Sequence, residues 1–386
     1  MTRLAVFASF AVAHFLSNFV RSANAVIAGD LSRDVGLGPS DLGLMTSLYF
    51  LAFAVVQLPL GSALDRFGAR RVTPALMTAA VIGAWVFALG RDGLALAIGR
   101  ALMGLGTAGI LMGGLKALAS WYRPARFAAI SGALVALGSS GSLVASTPLA
   151  WLAQAFGWRA VFVAGGVALA LAALAVAIWG RAAPDAAPTH VHTTPAGFGA
   201  IFASPTFWRA AGLAVATTGV TFALQSLWAG PYLAEGIGLG PISTGNVLLA
   251  FGVGVSFGYL VLGAVGERLG TARTLAGISA AFVLCQLFPA PGGGLLTASF
   301  LTLGVAGASS ALLFARMRAA FPPELTGRAV TAVNLFMFAG GFALQWGLGV
   351  WLDAGFGGLG SLFALTAGLG AVAWLAFLPD ALSRPA

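Results

Sequence analysis

Twelve stretches of about twenty largely uncharged residues follow one another along this 386-residue chain, and that pattern leaves few architectures open. A bilayer core of about 30 Å is crossed by roughly 20 apolar residues in a helix, and backbone within lipid must satisfy its own N–H and C=O groups. The runs lie at Leu4–Ala28, Leu42–Leu60, Val72–Leu89, Leu94–Ala119, Ala128–Leu152 and Ala160–Trp179. After a gap come Phe207–Trp228, Ile242–Val265, Thr274–Phe288, Leu295–Phe314, Ala329–Trp351 and Leu359–Leu378, of which Thr274–Phe288 is the shortest. Charged residues make up 8% of the chain, against about 25% in soluble proteins. An all-α integral membrane protein with twelve transmembrane helices is expected.

The net charge of +9 reads as a topology signal and not as a nucleic-acid signal. With the amino terminus inside, the inner loops and tails carry 14 of the 20 basic residues, among them Arg3, Arg66, Arg70, Arg71, Arg123, Arg126, Arg181, Arg209, Arg316 and Arg328. The outer loops carry Arg33, Arg91 and Arg159, while Arg21, Arg100 and Lys116 fall inside spans. This asymmetry follows the positive-inside rule and predicts that both termini are cytoplasmic. Cys285 is the single cysteine and sits in an apolar run, which excludes a disulfide framework or thiolate metal cluster and reads as filler. Arg3, the apolar stretch after it and Ala23-Asn24-Ala25 also have the make-up of a cleavable signal peptide. Cleavage would leave an odd number of spans, which disfavours that reading.

Internal repetition divides the chain. VGLGPSDLG at Val35–Gly43 returns as IGLGPISTG at Ile237–Gly245, and LGSALDRFGARR at Leu60–Arg71 returns as LGAVGERLGTAR at Leu262–Arg273, both 202 residues later. Arg126 and Arg328 keep the same offset. Matches at one offset predict a six-span unit copied in parallel orientation: a bundle over 1–180, a Pro- and Ala-rich cytoplasmic linker over 181–206, and a second bundle over 207–386. His190 and His192 in the linker lack further ligands and read as linker residues, with no metal site expected.

GSALDRFGARR at Gly61–Arg71 resembles the signature loop between the second and third spans of the major facilitator superfamily: a glycine, an acid and arginine, then glycine and further basic residues. Its copy is weaker, with Glu267 and Arg268 at the places of Asp65 and Arg66. LAIGRALMGLGTA at Leu96–Ala108 resembles the family's fourth-span motif, in which an intramembrane arginine, here Arg100, precedes closely spaced glycines. The fifth-span Gly-Pro motif of the drug antiporters is not evident, since Pro148 follows Thr147. The resemblance covers essentially the whole chain. It implies two pseudo-symmetric six-helix bundles, transport by alternating access, action as a monomer, and neither enzymatic activity nor a cofactor.

In such a loop Gly61 and Gly68 allow a tight inner turn, and Asp65 can accept backbone N–H groups at a helix start and pair with a neighbouring arginine. Gly61, Asp65, Arg66, Gly68, Arg70, Arg71, Arg100, Glu267 and Arg268 are therefore expected to take part in gating. Plain anchoring of topology is the alternative for the charged ones.

The first span poses the substrate question. His14, Asn18 and Arg21, with Ser17 and Asn24 slightly offset, recur at helical spacing along one stripe, opposite apolar Phe15, Phe19 and Val26. An arginine at a span centre costs about 2.5–3.5 kcal/mol on insertion scales, so it faces protein or water. The stripe is expected to line a watery path between the halves. No carboxylate falls deep inside any of the twelve runs, and a guanidinium in that setting favours an anionic ligand held by paired N–H bonds.

Lys116, the only lysine, lies in the inner third of the fourth run. By helical rise it stands roughly 20 Å from Arg21 along the membrane normal, as a relay or as a snorkelling cation. In the second half Thr218, Thr221, Gln225 and Trp228 form a stripe on the seventh run. Gln225 and Trp228 suit the uncharged part of a ligand, or else interhelical bonding. His14 is the intramembrane group that titrates nearest neutrality, although a structural histidine is the commoner case.

Together these residues predict a transporter for a small organic anion, or for a zwitterion bearing carboxylate or phosphate, in a bacterial inner membrane. The lipid bilayer and the substrate are the expected partners, with no nucleic acid. Multidrug efflux of lipophilic compounds is the first alternative and a non-transporting receptor on the same scaffold the second. The phosphate-binding pattern GxxxxGK[ST] of a nucleotide-driven pump does not occur.

Overall fold

The computed structural model describes residues 3–181, 183, 198–287 and 293–382, and among them every regular element is a helix. Ten helices are long and apolar enough to cross a membrane, a pair bent by 44° makes an eleventh, and Thr271–Leu287 is a shorter apolar helix at the place of the ninth run. The first six spans are Arg3–Ser22, Pro39–Phe67, Ala69–Leu89, Gly93–Trp121, the bent pair Pro124–Val144 and Thr147–Phe156, and Trp158–Trp179. The other six are Pro205–Gly236, Pro241–Leu269, Thr271–Leu287, Gly293–Ala320, Pro323–Asp353 and Ser361–Leu382. Proline opens many of them, where its missing N–H costs nothing because the first N–H groups of a helix have no internal acceptor. Large apolar side chains such as Leu89, Leu171, Leu260 and Val372 point outward, as lipid-facing surfaces require.

The chain forms two compact units, Met1–Val191 and His192–Ala386. Most of the expected linker, including His190 and His192, lies outside the described residues; its described end carries a short helix, Gly199–Phe202. Inside the first unit the first span packs on the fifth and sixth, the second on the fourth, and the third on the fourth and sixth. Inside the second unit the same scheme recurs: seventh on eleventh and twelfth, eighth on tenth, ninth on tenth and twelfth.

Backbone detail repeats with the packing. Pro39–Phe67 and Pro241–Leu269 are each 29 residues long. The turns that flank them use left-handed glycines, Gly36 (φ 74°) and Gly68 (φ 76°) in one unit, Gly238 (φ 82°) and Gly270 (φ 89°) in the other. A residue with a Cβ is strained there. Where the second and fourth spans cross, a Cβ on Gly104 would sit 2.1 Å from the Tyr49 carbonyl oxygen; where the eighth and tenth cross, one on Gly304 would sit 2.2 Å from that of Phe251. Gly61, expected in the inner turn, lies instead within the helix Pro39–Phe67 with open space around it, and Gly68 makes the turn.

Several runs that read as continuous are broken. The first is interrupted at Ala23, before the helix Asn24–Val35. The fourth breaks at Ala108-Gly109 and the tenth at Ala308-Ser309, matching places in the two units. The seventh span contains three wide turns, Val215–Gly219, Leu224–Trp228 and Tyr232–Gly236, in which the hydrogen bonds reach one residue further than in an α-helix.

Candidate functional site

The break in the first span is held by Arg100 of the fourth. Its side chain is fully buried, and its guanidinium donates from Nη1 to the Val20 carbonyl at 2.6 Å and from Nη2 to that of Arg21 at 3.4 Å. The last four carbonyls of a helix lack partners within it, and a cation there also faces the negative end of the helix dipole. The guanidinium lies 5.0 Å from the Tyr49 ring centroid, and the Tyr49 hydroxyl bonds Thr107 at 2.7 Å. Arg100 is thus a positioning residue, fixing the backbone that carries Arg21.

The polar stripe divides at that break. His14 packs against the fifth span, where a Cβ on Gly138 would lie 1.8 Å from the imidazole Cδ2, so glycine alone leaves room for the ring. Asn18 Nδ2 donates to the His14 carbonyl at 2.9 Å and lies 3.5 Å from the ring nitrogens. Arg21 is half-buried one turn further on. Asn24, expected on the same stripe, is completely buried and donates to Thr46 Oγ1 of the second span at 2.9 Å. The interruption at Ala23 turns the following helix, so spacing counted through it misplaces Asn24.

Trp228 makes the interhelical bond that was the alternative to ligand contact. It is buried and donates from Nε1 to the Gln345 carbonyl at 2.9 Å, while Ser226 donates to Gln345 Oε1 at 3.0 Å, joining the seventh and eleventh spans. Thr217 and Thr218 reach Ser309 at the break of the tenth span, at 2.7 and 3.3 Å. Gln225 is buried at 8% exposure. The wide turns dissolve the regular stripe that a 3.6-residue period predicts.

At the ends of the second and fourth spans, Lys116 Nζ contacts Asp65 Oδ1 directly, both side chains being partly exposed. Lys116, expected as a relay or a snorkelling cation, therefore ends on a carboxylate, and the partner of Asp65 is this lysine rather than a neighbouring arginine. Arg66 lies over the Phe67 ring at 5.1 Å, Arg70 Nε donates to the Ala177 carbonyl at 2.7 Å, and Arg71 is exposed. In the second unit Glu267 and Arg268 are both exposed.

That unit places its ion cluster elsewhere. Asp380, with a side chain only 5% exposed, accepts from Arg209 Nη1 at 2.8 Å and from Arg316 Nη2 at 3.1 Å, tying the ends of the seventh, tenth and twelfth spans. Reading Arg209 and Arg316 as charges of the inner loops missed it. A usable signal was present, because Arg316 follows the break at Ala308 by the same eight residues that separate Lys116 from Ala108. Among the described residues no group of three or more His, Cys, Asp or Glu side chains is placed to hold a metal ion.

The family model of the Major Facilitator Superfamily matches residues 10–344. The chain belongs to the Major Facilitator Superfamily. Among solved facilitator structures, a mutant form of the nucleoside transporter NupG superposes with a TM-score of 0.79 at 14% identity, covering 97% of this chain and 99% of that one, a likeness of fold. Among curated facilitators, the chain is similar to the probable galactarate/D-glucarate transporter GudP of Bacillus subtilis (strain 168), 31% identical over 42% of this chain and 36% of that protein. It is similar to the quinolone resistance transporter of Acinetobacter baumannii to the same degree, 31% over 39% of this chain and 36% of that protein. The matched stretches thus span little more than a third of either relative.

Proposed function

We propose that this facilitator carries a small organic anion, or a zwitterion bearing carboxylate or phosphate, across a bacterial inner membrane by alternating access, with both termini cytoplasmic. The observation that carries the reading is the placing of Arg21: half-buried, on a helix end whose carbonyls are already held by the buried Arg100. Arg100 brings a guanidinium onto the backbone that carries Arg21, and a planar guanidinium grips a carboxylate through paired N–H bonds. Asn18 and His14 extend the polar surface along the same helix, and Gln225 is the candidate of the second unit for hydroxyl or amide groups. The similarity to a probable galactarate/D-glucarate transporter supports a carboxylate-bearing substrate.

The Asp65–Lys116 contact is the proposed gating pair, made and broken in the transport cycle. Efflux of a drug-like compound is the second reading, favoured by the similarity to a quinolone resistance transporter.

The test is thermal unfolding of the detergent-purified protein against sugar acids, other carboxylates, phosphate esters, quinolones and lipophilic cations, alongside Arg21→Gln. A ligand at 100 times its Kd adds about 2.7 kcal/mol. Stabilisation of the wild type by sugar acids, lost in Arg21→Gln, supports the anion reading. Stabilisation by lipophilic cations alone, equal in both proteins, overturns it.

A further inference from the structure

An apolar groove runs along the outer surface of the first unit between the third and sixth spans. Pro74, Thr78, Val81 and Ile82 form one wall and Ala170, Ala173, Leu174 and Ala177 the other, enclosing about 460 Å³. The wall on the third span is one helical stripe, and the residue one turn before Pro74 on that stripe is Arg70. Arg70 closes the end of the groove: its Nε donates at 2.7 Å to the carbonyl of Ala177, which lines the opposite wall. Ala177 lies in the last turn of the helix ending at Trp179, where carbonyls lack internal partners. That bond anchors the guanidinium at the groove mouth through Nε, and the residue remains exposed. Arg71 follows it, also exposed.

We propose that the groove holds one acyl chain of an anionic phospholipid whose phosphate is bound by Arg70 and Arg71. From Pro74 to Ile82 the wall rises about 12 Å at 1.5 Å per residue, close to the roughly 15 Å hydrocarbon depth of a single leaflet. The small side chains Ala170, Ala173 and Ala177 keep the channel open along that depth. A fixed guanidinium at its end supplies what a phosphate takes, paired N–H donors at the depth where headgroups begin. The site is independent of the substrate reading, since neither wall contains a residue proposed to bind substrate.

Native mass spectrometry of the full-length protein tests it, with phosphatidylglycerol and phosphatidylcholine of identical chains added in equal amounts. Wild type is expected to retain phosphatidylglycerol preferentially. Arg70→Gln is expected to weaken that retention about fivefold, the scale of one surface cation acting on an anionic lipid. Ala170→Phe, which fills the groove, is expected to abolish it, and Thr78→Phe, an exposed position across the groove, is the second filler should Ala170→Phe fold poorly. Equal retention of the two lipids by wild type overturns the proposal, as does retention that Arg70→Gln and both fillers leave unchanged. Glycerol phosphate competing as well as the intact lipid would also overturn it, by removing any role for the groove.

Discussion

Lys116 and Arg316 hold equivalent places in the two units, each eight residues after a helix break, yet they pair with different acids. Lys116 takes Asp65 from the last turn of the second span, in a partly exposed contact. Arg316 takes Asp380, a buried carboxylate on the twelfth span that also holds Arg209. The two units thus use matching cations differently: a partly exposed contact in one, a buried cluster in the other.

Replacing Asp380 with Asn is expected to destabilise the protein by about 3 kcal/mol, because removing the acid of a buried ion cluster leaves charge without compensation. Asp65→Asn, at a partly exposed pair, is expected to cost less than about 1 kcal/mol. Thermal unfolding of the two variants in the same detergent compares them. Equal losses would refute the distinction between the buried cluster and the partly exposed contact.

Asp65→Asn and Lys116→Gln are each expected to slow turnover in proteoliposomes while leaving ligand affinity within about twofold. The exchange Asp65→Lys with Lys116→Asp restores the pair in reverse and is expected to recover part of the rate. No recovery in the double variant would mean that the contact itself is not what gates transport.

Glycines of similar appearance should respond differently to a single methyl group. Gly104→Ala drives a Cβ against the Tyr49 carbonyl, and overpacking of this kind costs about 1–3 kcal/mol. Gly61→Ala meets open space within a helix and is expected to be neutral or to stabilise by about 0.5–1 kcal/mol. Circular dichroism melts read both, and a stable Gly104→Ala would show that the second and fourth spans can separate freely.

Arg100→Gln is expected to lower unfolding stability without any ligand by about 1–3 kcal/mol, the cost of leaving buried carbonyls unsatisfied. Arg21→Gln is expected to remove the shift produced by anions. If both variants instead behaved alike, the separation between positioning and binding would fail.

The span pattern and the family were legible because each rests on local properties: hydropathy over about twenty residues, and a glycine-acid-arginine spacing. Asn24 and Trp228 were not, because their directions depend on the break at Ala23 and on the wide turns of the seventh span, which no residue near them announces. The partner of Lys116 was hidden for another reason. Asp65 is 51 residues away, and helical rise along one span says nothing about which end of another span packs beside it. Asp380 was visible only as an acid near the carboxyl terminus; that two arginines converge on it is a fact of packing.

The three wide turns of Pro205–Gly236 also bear on how this protein can change over generations. A wide turn is a place where a helix has taken in a residue beyond its regular winding and kept its ends in place. Gain or loss of one codon there would swing the side chains beyond it by about 100° around the axis, presenting Gln225 or its neighbours to new surroundings without moving the rest of the bundle. Differences between this transporter and close kin in what they carry should then be sought in single-residue insertions and deletions along the seventh span as much as in substitutions.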